Sequence, residues 1–254
     1  MADPSFESRE FFHLTFLRHL AFRLNGRAYA VKGGICLRFF HGSPRLSEDM
    51  DLDVVGRMST ETLRNAVDTV LESRALRTNL ASGGIAALSA TAPKQTDVTQ
   101  RWKVTLRSPA GPLPTKIEFS RRERSVEYKT GVPRPEILRR YASVPFAAQF
   151  YGAGHIARQK ISALASPGRN AARDLFDLHH LLFAAGLDPS EAVKDLAKSE
   201  WERAFDKTAR FTFDDFAGQV LPYLTAELAA AFEGPAAFKQ LRDDVLLRLS
   251  EAAP

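Results

Sequence analysis

The fold of this chain is decided by the stretch Arg45-Leu46-Ser47-Glu48-Asp49-Met50-Asp51-Leu52-Asp53. Acidic and apolar residues alternate along it, which predicts a strand over 49–55. Side chains two residues apart on a strand share a face, so Asp49 and Asp51 point to one spot while Met50 and Leu52 point the other way. Two carboxylates so close repel each other unless a cation neutralises them. The stretch therefore predicts a cation-binding strand, with an ordinary acidic surface strand as the alternative.

A pair of glycines precedes this strand in the sequence. Lys32-Gly33-Gly34 follows a short predicted strand, Tyr29 to Val31, and precedes a helical segment that runs to Phe40. Glycines let backbone N–H groups approach an anion closely, and a helix N-terminus favours negative charge. The segment predicts a phosphate-binding turn that uses Lys32, Gly33 and Gly34. An ordinary strand-to-helix turn would show the same local pattern.

A third carboxylate, Glu118, lies in a later predicted strand. Mg²⁺ is the usual ion where carboxylates and phosphates share a coordination shell, and such a set suits two-metal phosphoryl or nucleotidyl transfer. In that reaction Asp51 would bridge two ions and Asp49 would hold the triphosphate-bound ion. Glu118 would bind the catalytic ion or act as a base. Asp53 shares the strand face, so Asp51 and Asp53 are an alternative pair, although the position after the serine favours Asp49 and Asp51.

Hydrophobic periodicity divides the chain into two regions. The first predicts an α+β domain with a mixed sheet, its elements being helices over 6–24 and 59–77 and strands over 83–90, 102–107 and 115–119. The second is helical, with predicted helices over 155–165, 171–185, 189–205, 213–232 and 235–251. The Pro-rich stretch 132–145 is the predicted linker, which gives domains of 1–145 and 146–254.

Four ordered blocks of sequence resemble one family. The blocks are Lys32-Gly33-Gly34-x-x-Leu37-Arg38, then Arg45-x-Ser47-x-Asp49-x-Asp51-Leu52, then Lys116-x-Glu118, then Arg158-Gln159-Lys160-Ile161-Ser162-Ala163-Leu164 with Arg169 and Arg173-Asp174-Leu175-Phe176-Asp177-Leu178. Together they resemble the AbiEii/AbiGii nucleotidyltransferase-like toxins of type IV-style toxin–antitoxin systems. The resemblance implies a nucleotidyltransferase-like sheet with flanking helices, followed by a helical C-terminal region that contributes Lys160 and Asp174 to the site.

The resemblance also implies roles for residues of the second and fourth blocks. Lys160 would neutralise the triphosphate, and Asp174 would orient Lys160 or accept a proton. Arg169 and Arg173 are candidate nucleotide-binding residues. Ser47 is a further candidate: its hydroxyl would bond the backbone, donate to a phosphate, or be phosphorylated during toxin neutralisation. For Lys160 and Asp174, a structural ion pair between neighbouring helices is the alternative.

The function implied is a Mg²⁺-dependent toxin that moves a nucleotide from a nucleoside triphosphate to an RNA acceptor, with the tRNA 3′ end as the expected target. A cognate antitoxin would neutralise it, and a cytoplasmic monomer is expected. Two alternatives remain open: a toxin that modifies a hydroxyl of a protein or small molecule, and one that binds nucleotide and acts without catalysis.

Composition bounds these expectations. Lys plus Arg total 35 against 30 Asp plus Glu, a mild excess that permits a polyanionic partner. Two basic clusters are candidate RNA contacts, namely Arg121, Arg122 and Arg124, and Arg134, Arg139 and Arg140.

The lone Cys36 lies in an apolar run, which predicts a buried thiol. Adjacent His179 and His180 point about 100° apart on a helix, which indicates packing or surface roles rather than a metal site. No stretch is long and apolar enough to span a membrane.

Overall fold

The computed structural model describes residues 4–109, 111–122 and 128–253. These residues form two compact units. The first, called here the sheet unit, comprises 4–40 and 46–151 of the described residues, and the second, the helical unit, comprises 41–45 and 152–253. The short segment 41–45 therefore belongs to the helical unit although the chain on either side of it belongs to the sheet unit.

A seven-stranded mixed sheet runs through the described part of the sheet unit. Its strands are β1 Tyr29–Lys32, β2 Asp49–Val54, β3 Ala87–Gln95, β4 Thr99–Ser108, β5 Gly111–Ser120, β6 Tyr128–Gly131 and β7 Ala148–Tyr151. The spatial order is β3-β4-β5-β2-β1-β7-β6. The β2–β5 and β1–β7 pairs are parallel and the other four pairs are antiparallel. The predicted α+β fold with a mixed sheet is confirmed.

Five helices accompany the sheet in the described residues of this unit: α1 Pro4–Arg23, α2 Gly33–Phe40, α3 Thr60–Glu72, α4 Arg74–Ser82 and α5 Pro135–Arg140. Phe12, Phe16 and Leu20 of α1 recur at helical spacing and are fully buried. The prediction of one helix over 59–77 was wrong. Ser73 is extended, with φ −64° and ψ 137°, and its hydroxyl accepts from the Leu76 N–H, so it ends α3 and caps α4.

Two further predictions in the sheet unit were wrong. The strand expected over 83–90 begins only at Ala87, because α4 extends to Ser82 and a turn follows it. The stretch 132–145 is not a simple linker, since it contains α5, and the sheet resumes after it with β7. β7 pairs in parallel with β1, which places its hydrogen-bonding partner more than a hundred residues earlier in the chain.

Helices are the main elements of the described part of the helical unit. They are α6 Ala153–Ala165, α7 Ala172–His179, α8 Pro189–Val193, α9 Lys198–Arg210, α10 Phe213–Gln219, α11 Ala226–Ala230 and α12 Pro235–Glu251. The predicted helices over 189–205 and 213–232 are each divided. Asp195 has φ 62° between α8 and α9, and a 3₁₀ turn at Leu221–Tyr223 separates α10 from α11. A π-helical turn, His180–Ala184, continues α7.

Each unit has an apolar core of its own. Trp102 and Phe119 meet edge to face beneath the sheet, and Phe176, Phe216 and Phe238 cluster in the helical unit. Cys36 is fully buried, as predicted, and its thiol donates to the Tyr151 carbonyl at 3.6 Å. Burial raises the pKa of this thiol.

Among residues 4–109, 111–122 and 128–253, no helix has the length and apolar character needed to cross a bilayer.

Candidate active site

The double-glycine turn lies directly against the carboxylate of Asp51. Gly33 follows β1 with φ +65°, a backbone conformation that side chains disfavour. A Cβ atom placed on Gly33 would be 3.0 Å from Asp51 Oδ2. Glycine is thus required at 33 for two reasons, its backbone angle and the close approach of the acid. Lys32, the last residue of β1, is the strand partner of Asp51.

Three predicted carboxylates lie on one face of the sheet. In the β2–β5 register Asp49 is opposite Lys116 and Asp51 is opposite Glu118, and paired residues project to the same side. Lys116 Nζ is 3.2 Å from Asp49 Oδ2. Glu118 Oε2 accepts from Arg101 Nε at 2.6 Å. Asp49 and Glu118, the two acids that flank Asp51, therefore each have a cationic partner.

The donor set fits a cation that is shared with a substrate. Burial raises the pKa of the Asp51 carboxyl, and the Lys116 and Lys32 ammonium groups offset part of that rise. In the described parts of the chain, no group of three or more His, Cys, Asp or Glu side chains is placed to hold a metal ion by itself. Mg²⁺ is commonly held by one or two carboxylates, with phosphates and waters completing its shell. Asp49 and Asp51 match that incomplete kind of site.

The carboxylate of Asp53 is already bonded to other side chains of the protein. Its side chain is fully buried, Lys32 Nζ donates to Oδ1 at 2.7 Å, and the Tyr151 hydroxyl donates to Oδ2. Burial and the carboxylate of Asp53 raise the pKa of Tyr151, which keeps the phenol protonated as the donor. Since both oxygens of Asp53 have protein partners, the geometry favours Asp49 and Asp51 over the alternative pair that includes Asp53.

Buried contacts fix the backbone that leads into β2. The Ser47 hydroxyl donates to the Asp49 carbonyl at 3.1 Å, the local backbone bond considered as one of its roles. The Thr115 hydroxyl donates to the Glu48 carbonyl at 2.6 Å, so His13 Nε2, at 2.8 Å, must donate to Thr115 Oγ1. Burial, with a smaller contribution from Arg9, lowers the pKa of His13 to about 3, so the imidazole is neutral.

In the helical unit, Lys160 is the centre of a buried ionic network. Its ammonium lies 2.6 Å from Asp174 Oδ1 and 2.7 Å from Asp177 Oδ2. Arg45 holds Asp177 in a bidentate pair, with both N–O distances at 2.8 Å. Arg169 Nε donates to the other oxygen of Asp174 at 2.8 Å. Asp174 and Asp177 are almost completely shielded from solvent.

The charges in this network explain why it is stable when buried. Burial alone would raise the pKa of Asp177, but Arg45 and Lys160 hold it well below its usual range. Burial alone would likewise lower the pKa of Lys160, but Asp177 and Asp174 raise it, so the ammonium stays charged. Three cations face two carboxylates, which leaves the cluster with one net positive charge. The Lys160–Asp174 ion pair is common to the predicted orienting role and to the structural alternative, so the role of Asp174 stays a prediction.

Several predicted residues lie outside these two clusters. Arg173 is exposed and its guanidinium lies 5.2 Å from the centre of the Tyr223 ring. His180 bonds the His41 carbonyl at 2.9 Å and His179 stacks on Phe183, both packing roles.

Three arginines of the two predicted basic clusters contact other residues of the protein. Arg134 pairs with Glu136, Arg140 lies 3.9 Å from Glu10, and Arg121 donates to Gln100. Arg122 is exposed, as is Arg139, and Arg124 lies outside the described residues.

Sequence reasoning missed four residues that shape these clusters: Arg45, Arg101, Lys116 and Tyr151. Arg45 and Lys116 both lie within the quoted blocks. The position of Arg45, four residues before Asp49, was a signal that the sequence offered. Arg101 and Tyr151 had none, because each reaches its acid only through strand pairing.

Comparison with known proteins identifies the family. The family described as "Nucleotidyl transferase AbiEii toxin, Type IV TA system" matches residues 15–251. The chain belongs to the AbiEii family. The match extends the resemblance of the four blocks to nearly the whole chain, including the helices beyond α7.

Two solved structures from Helicobacter pylori share the fold. JHP933 is 19% identical, with a TM-score of 0.60 over 99% of this chain and 96% of its own. A candidate nucleotidyltransferase is 20% identical, with a TM-score of 0.63 over 99% of this chain and 97% of its own. Among curated proteins, no significant match to the chain is found.

Proposed function

We propose that this AbiEii-family protein transfers a nucleotide from a nucleoside triphosphate to a hydroxyl of an RNA acceptor, the 3′ end of tRNA. The observation that carries the proposal is the approach of Asp51 to the Gly33 turn, with only 3.0 Å between its Oδ2 and the position a Cβ would take. A carboxylate pressed against a glycine turn at a helix N-terminus suits a metal-bound triphosphate better than a bare acidic surface does.

The residues of the sheet unit would bind the metal ion and the phosphates and accept a proton. Asp49 and Asp51 would hold Mg²⁺, with Glu118 as a further ligand or as the base that accepts the proton of the attacking hydroxyl. When bound, Mg²⁺ would neutralise phosphate charge and make the acceptor hydroxyl easier to ionise. Lys32, Gly33, Gly34 and Ser47 are proposed to bind phosphates of the nucleotide.

The ionic network of the helical unit would supply cations for the reaction. We assign to Lys160 the neutralisation of charge on the departing pyrophosphate, with Asp174 holding its ammonium in place. Arg169, half exposed and bonded to Asp174, would reach the nucleotide from the same cluster, and Arg173 is proposed as a further contact.

In the reaction the acceptor oxygen bonds to the α-phosphorus, the bond between the α-phosphorus and the oxygen that bridges it to the β-phosphorus breaks, and pyrophosphate leaves.

A transfer assay with four α-labelled triphosphates and total tRNA tests the proposal. Wild type should label tRNA with at least one nucleotide, and Asp51→Asn should reduce the rate by at least 100-fold, because the substitution removes a charge on which metal binding depends. Asp206→Asn is the matched control, since Asp206 is exposed on α9 and should leave the rate unchanged. Equal labelling by wild type and Asp51→Asn with every triphosphate would refute transfer at this site.

Parallel measurements, beginning with the same assay in a cell extract, separate the alternatives. Label on a protein or small molecule, with none on RNA, would assign a different acceptor to the same chemistry. Growth inhibition that survives both Asp49→Asn and Lys160→Met would show that the toxin acts by binding. An antitoxin is proposed from the type IV family, and co-expression with a neighbouring gene that restores growth would identify it.

A further inference from the structure

The face of the sheet that carries the carboxylates continues across β4 and β3. Arg101 lies opposite Glu118 in the β4–β5 register and opposite Lys94 in the β3–β4 register. Lys103 lies opposite Lys116, whose other neighbour is Asp49. Paired residues share a side of the sheet, so these cations extend the same face outward from the acids.

We call this surface the basic face and define it by Lys94, Arg101, Lys103 and Arg107. Its charge pattern is one-sided. β3 and β4 carry these four cations and no Asp or Glu, although the whole chain is nearly balanced at 35 basic and 30 acidic residues. All four cations are on the carboxylate side. The other side of β4 is apolar or neutral and buried, with Gln100, Trp102, Val104 and Leu106.

Three of the four cations are available to a ligand. Lys94, Lys103 and Arg107 are exposed, and none of them takes part in an ion pair among residues 4–109, 111–122 and 128–253. By contrast, Arg134 and Arg140 of the predicted basic clusters direct their charge at Glu136 and Glu10. The basic face is therefore a stronger candidate for a polyanion than the clusters that stood out in the sequence.

We propose that the basic face binds the phosphate backbone of the acceptor RNA as it approaches Asp49 and Asp51. The inference rests on the proposed function, since it concerns the acceptor of that reaction. A phosphate chain would be repelled by the carboxylates, and cations beside them remove that barrier. Lys103 and Arg107 are separated by four residues on one strand, about 13 Å, so they would contact different phosphates.

The chemistry of the face also indicates how the RNA is recognised. Its β3 and β4 side chains are Ala, Ser, Thr, Lys and Arg, with no aromatic ring on which a base would stack. Cations and hydroxyls recognise phosphate and sugar rather than base edges. The face should thus bind many RNA sequences equally, and choice among them should come from elsewhere in the chain.

The test compares Lys103→Gln/Arg107→Gln with a matched pair, Arg203→Gln/Arg210→Gln, which removes two exposed charges from α9. Binding of fluorescent tRNA is measured by anisotropy between 0.05 and 0.2 M KCl. Each phosphate contact contributes about 0.7–0.9 to the slope of log K against log salt, so the first variant should lose about 1.4–1.8 of the slope and bind about 25- to 60-fold more weakly at 0.1 M. The control should retain both values.

Further measurements keep the outcomes distinct. Binding of a non-hydrolysable triphosphate, measured by calorimetry without RNA, should be unchanged in both variants, because the basic face is not assigned to the nucleotide. The single variant Arg107→Gln should show about half the effect on the slope. Unchanged slope and affinity in the double variant would overturn the proposal.

Two outcomes separate this proposal from the proposed function. Loss of tRNA binding in the double variant, in a protein whose wild type transfers nothing to RNA, would refute the transfer reaction and retain the basic face. Undiminished tRNA binding combined with slower labelling of a protein acceptor would assign the face to an acidic protein surface and overturn its assignment to RNA.

Discussion

Replacement of His13 by glutamine should remove a specific part of the acid sensitivity of the sheet unit. The native imidazole is fully buried, bonded to Thr115 Oγ1 at 2.8 Å, and burial lowers its pKa to about 3. In the unfolded chain the pKa returns to about 6.5. Between these values the unfolded state binds a proton that the native state does not. Stability must therefore rise with pH across this window and fall as the solution is acidified.

The size of the effect follows from the two pKa values. Between pH 7 and pH 4.5, the proton taken up by the unfolded His13 costs the native state about 2.5 kcal/mol of unfolding free energy. Glutamine retains an N–H donor for Thr115 and does not titrate. The substitution should cost stability at pH 7 through altered packing, but the fall on acidification should be smaller than in wild type by about 2.5 kcal/mol.

Urea unfolding, followed by Trp fluorescence in a Trp201→Phe background, measures this difference. The remaining Trp102 is 1% exposed and lies in the sheet unit with His13, so its emission reports on the relevant unit. Between pH 7 and pH 8.5 the stability of both proteins should change with pH in nearly the same way, because His13 is largely deprotonated in both states there. An equal fall in stability for wild type and His13→Gln between pH 7 and pH 4.5 would refute the assignment of a buried neutral imidazole.

Three other substitutions test contacts of the two clusters. Gly33→Ala should lower the transfer rate by at least 100-fold, since the left-handed backbone costs about 1–2 kcal/mol and the new methyl meets Asp51; steady-state kinetics would measure it. Arg45→Met should destabilise the helical unit by about 3–5 kcal/mol, because Asp177 stays buried with one partner fewer, as measured by urea unfolding. Tyr151→Phe should destabilise the sheet unit by about 1–3 kcal/mol in the same assay, because a buried carboxylate oxygen loses its donor.

Matched controls exist for two of these variants. Gly168→Ala introduces a methyl where no atom lies within 4 Å and should leave the rate unchanged. Arg158→Met removes an exposed guanidinium whose contact is the Glu191 carbonyl, and should change stability by less than about 1 kcal/mol. Unfolding curves that fail to distinguish Arg45→Met from Arg158→Met would contradict the buried role of Arg45.

Local patterns made much of the fold predictable. The spacing of Phe12, Phe16 and Leu20 identified α1, and the alternation of Met50 and Leu52 with acids identified β2. These elements carry their own signal because one face of each is buried along its whole length. Ser73 carried a capping signal as well, but the apolar pattern runs through it from α3 to α4 and suggested continuity.

Features that depend on distant pairing were not predictable. β7 is a four-residue strand after a Pro-rich stretch, and it is a strand because it pairs with β1. The same holds at the site. Alternation placed three aspartates on one face, but it could not show that Lys32 and Tyr151, the latter 98 residues after Asp53, bond both oxygens of Asp53 while Asp51 lies against Gly33. The catalytic and binding roles of the site residues stay predictions.

The assignment of segment 41–45 to the helical unit constrains how the gene can be cut or recombined. A fragment that stops at residue 145 would lack β7 and expose the edge of β1. An exposed strand edge pairs readily with other chains, so such a fragment should aggregate. A fragment that starts at 146 would lack Arg45, so Asp177 would lose its bidentate partner. A chimera of two homologues made by a single crossover would separate both pairs of partners, and compensating changes on each side of the junction would have to be inherited together.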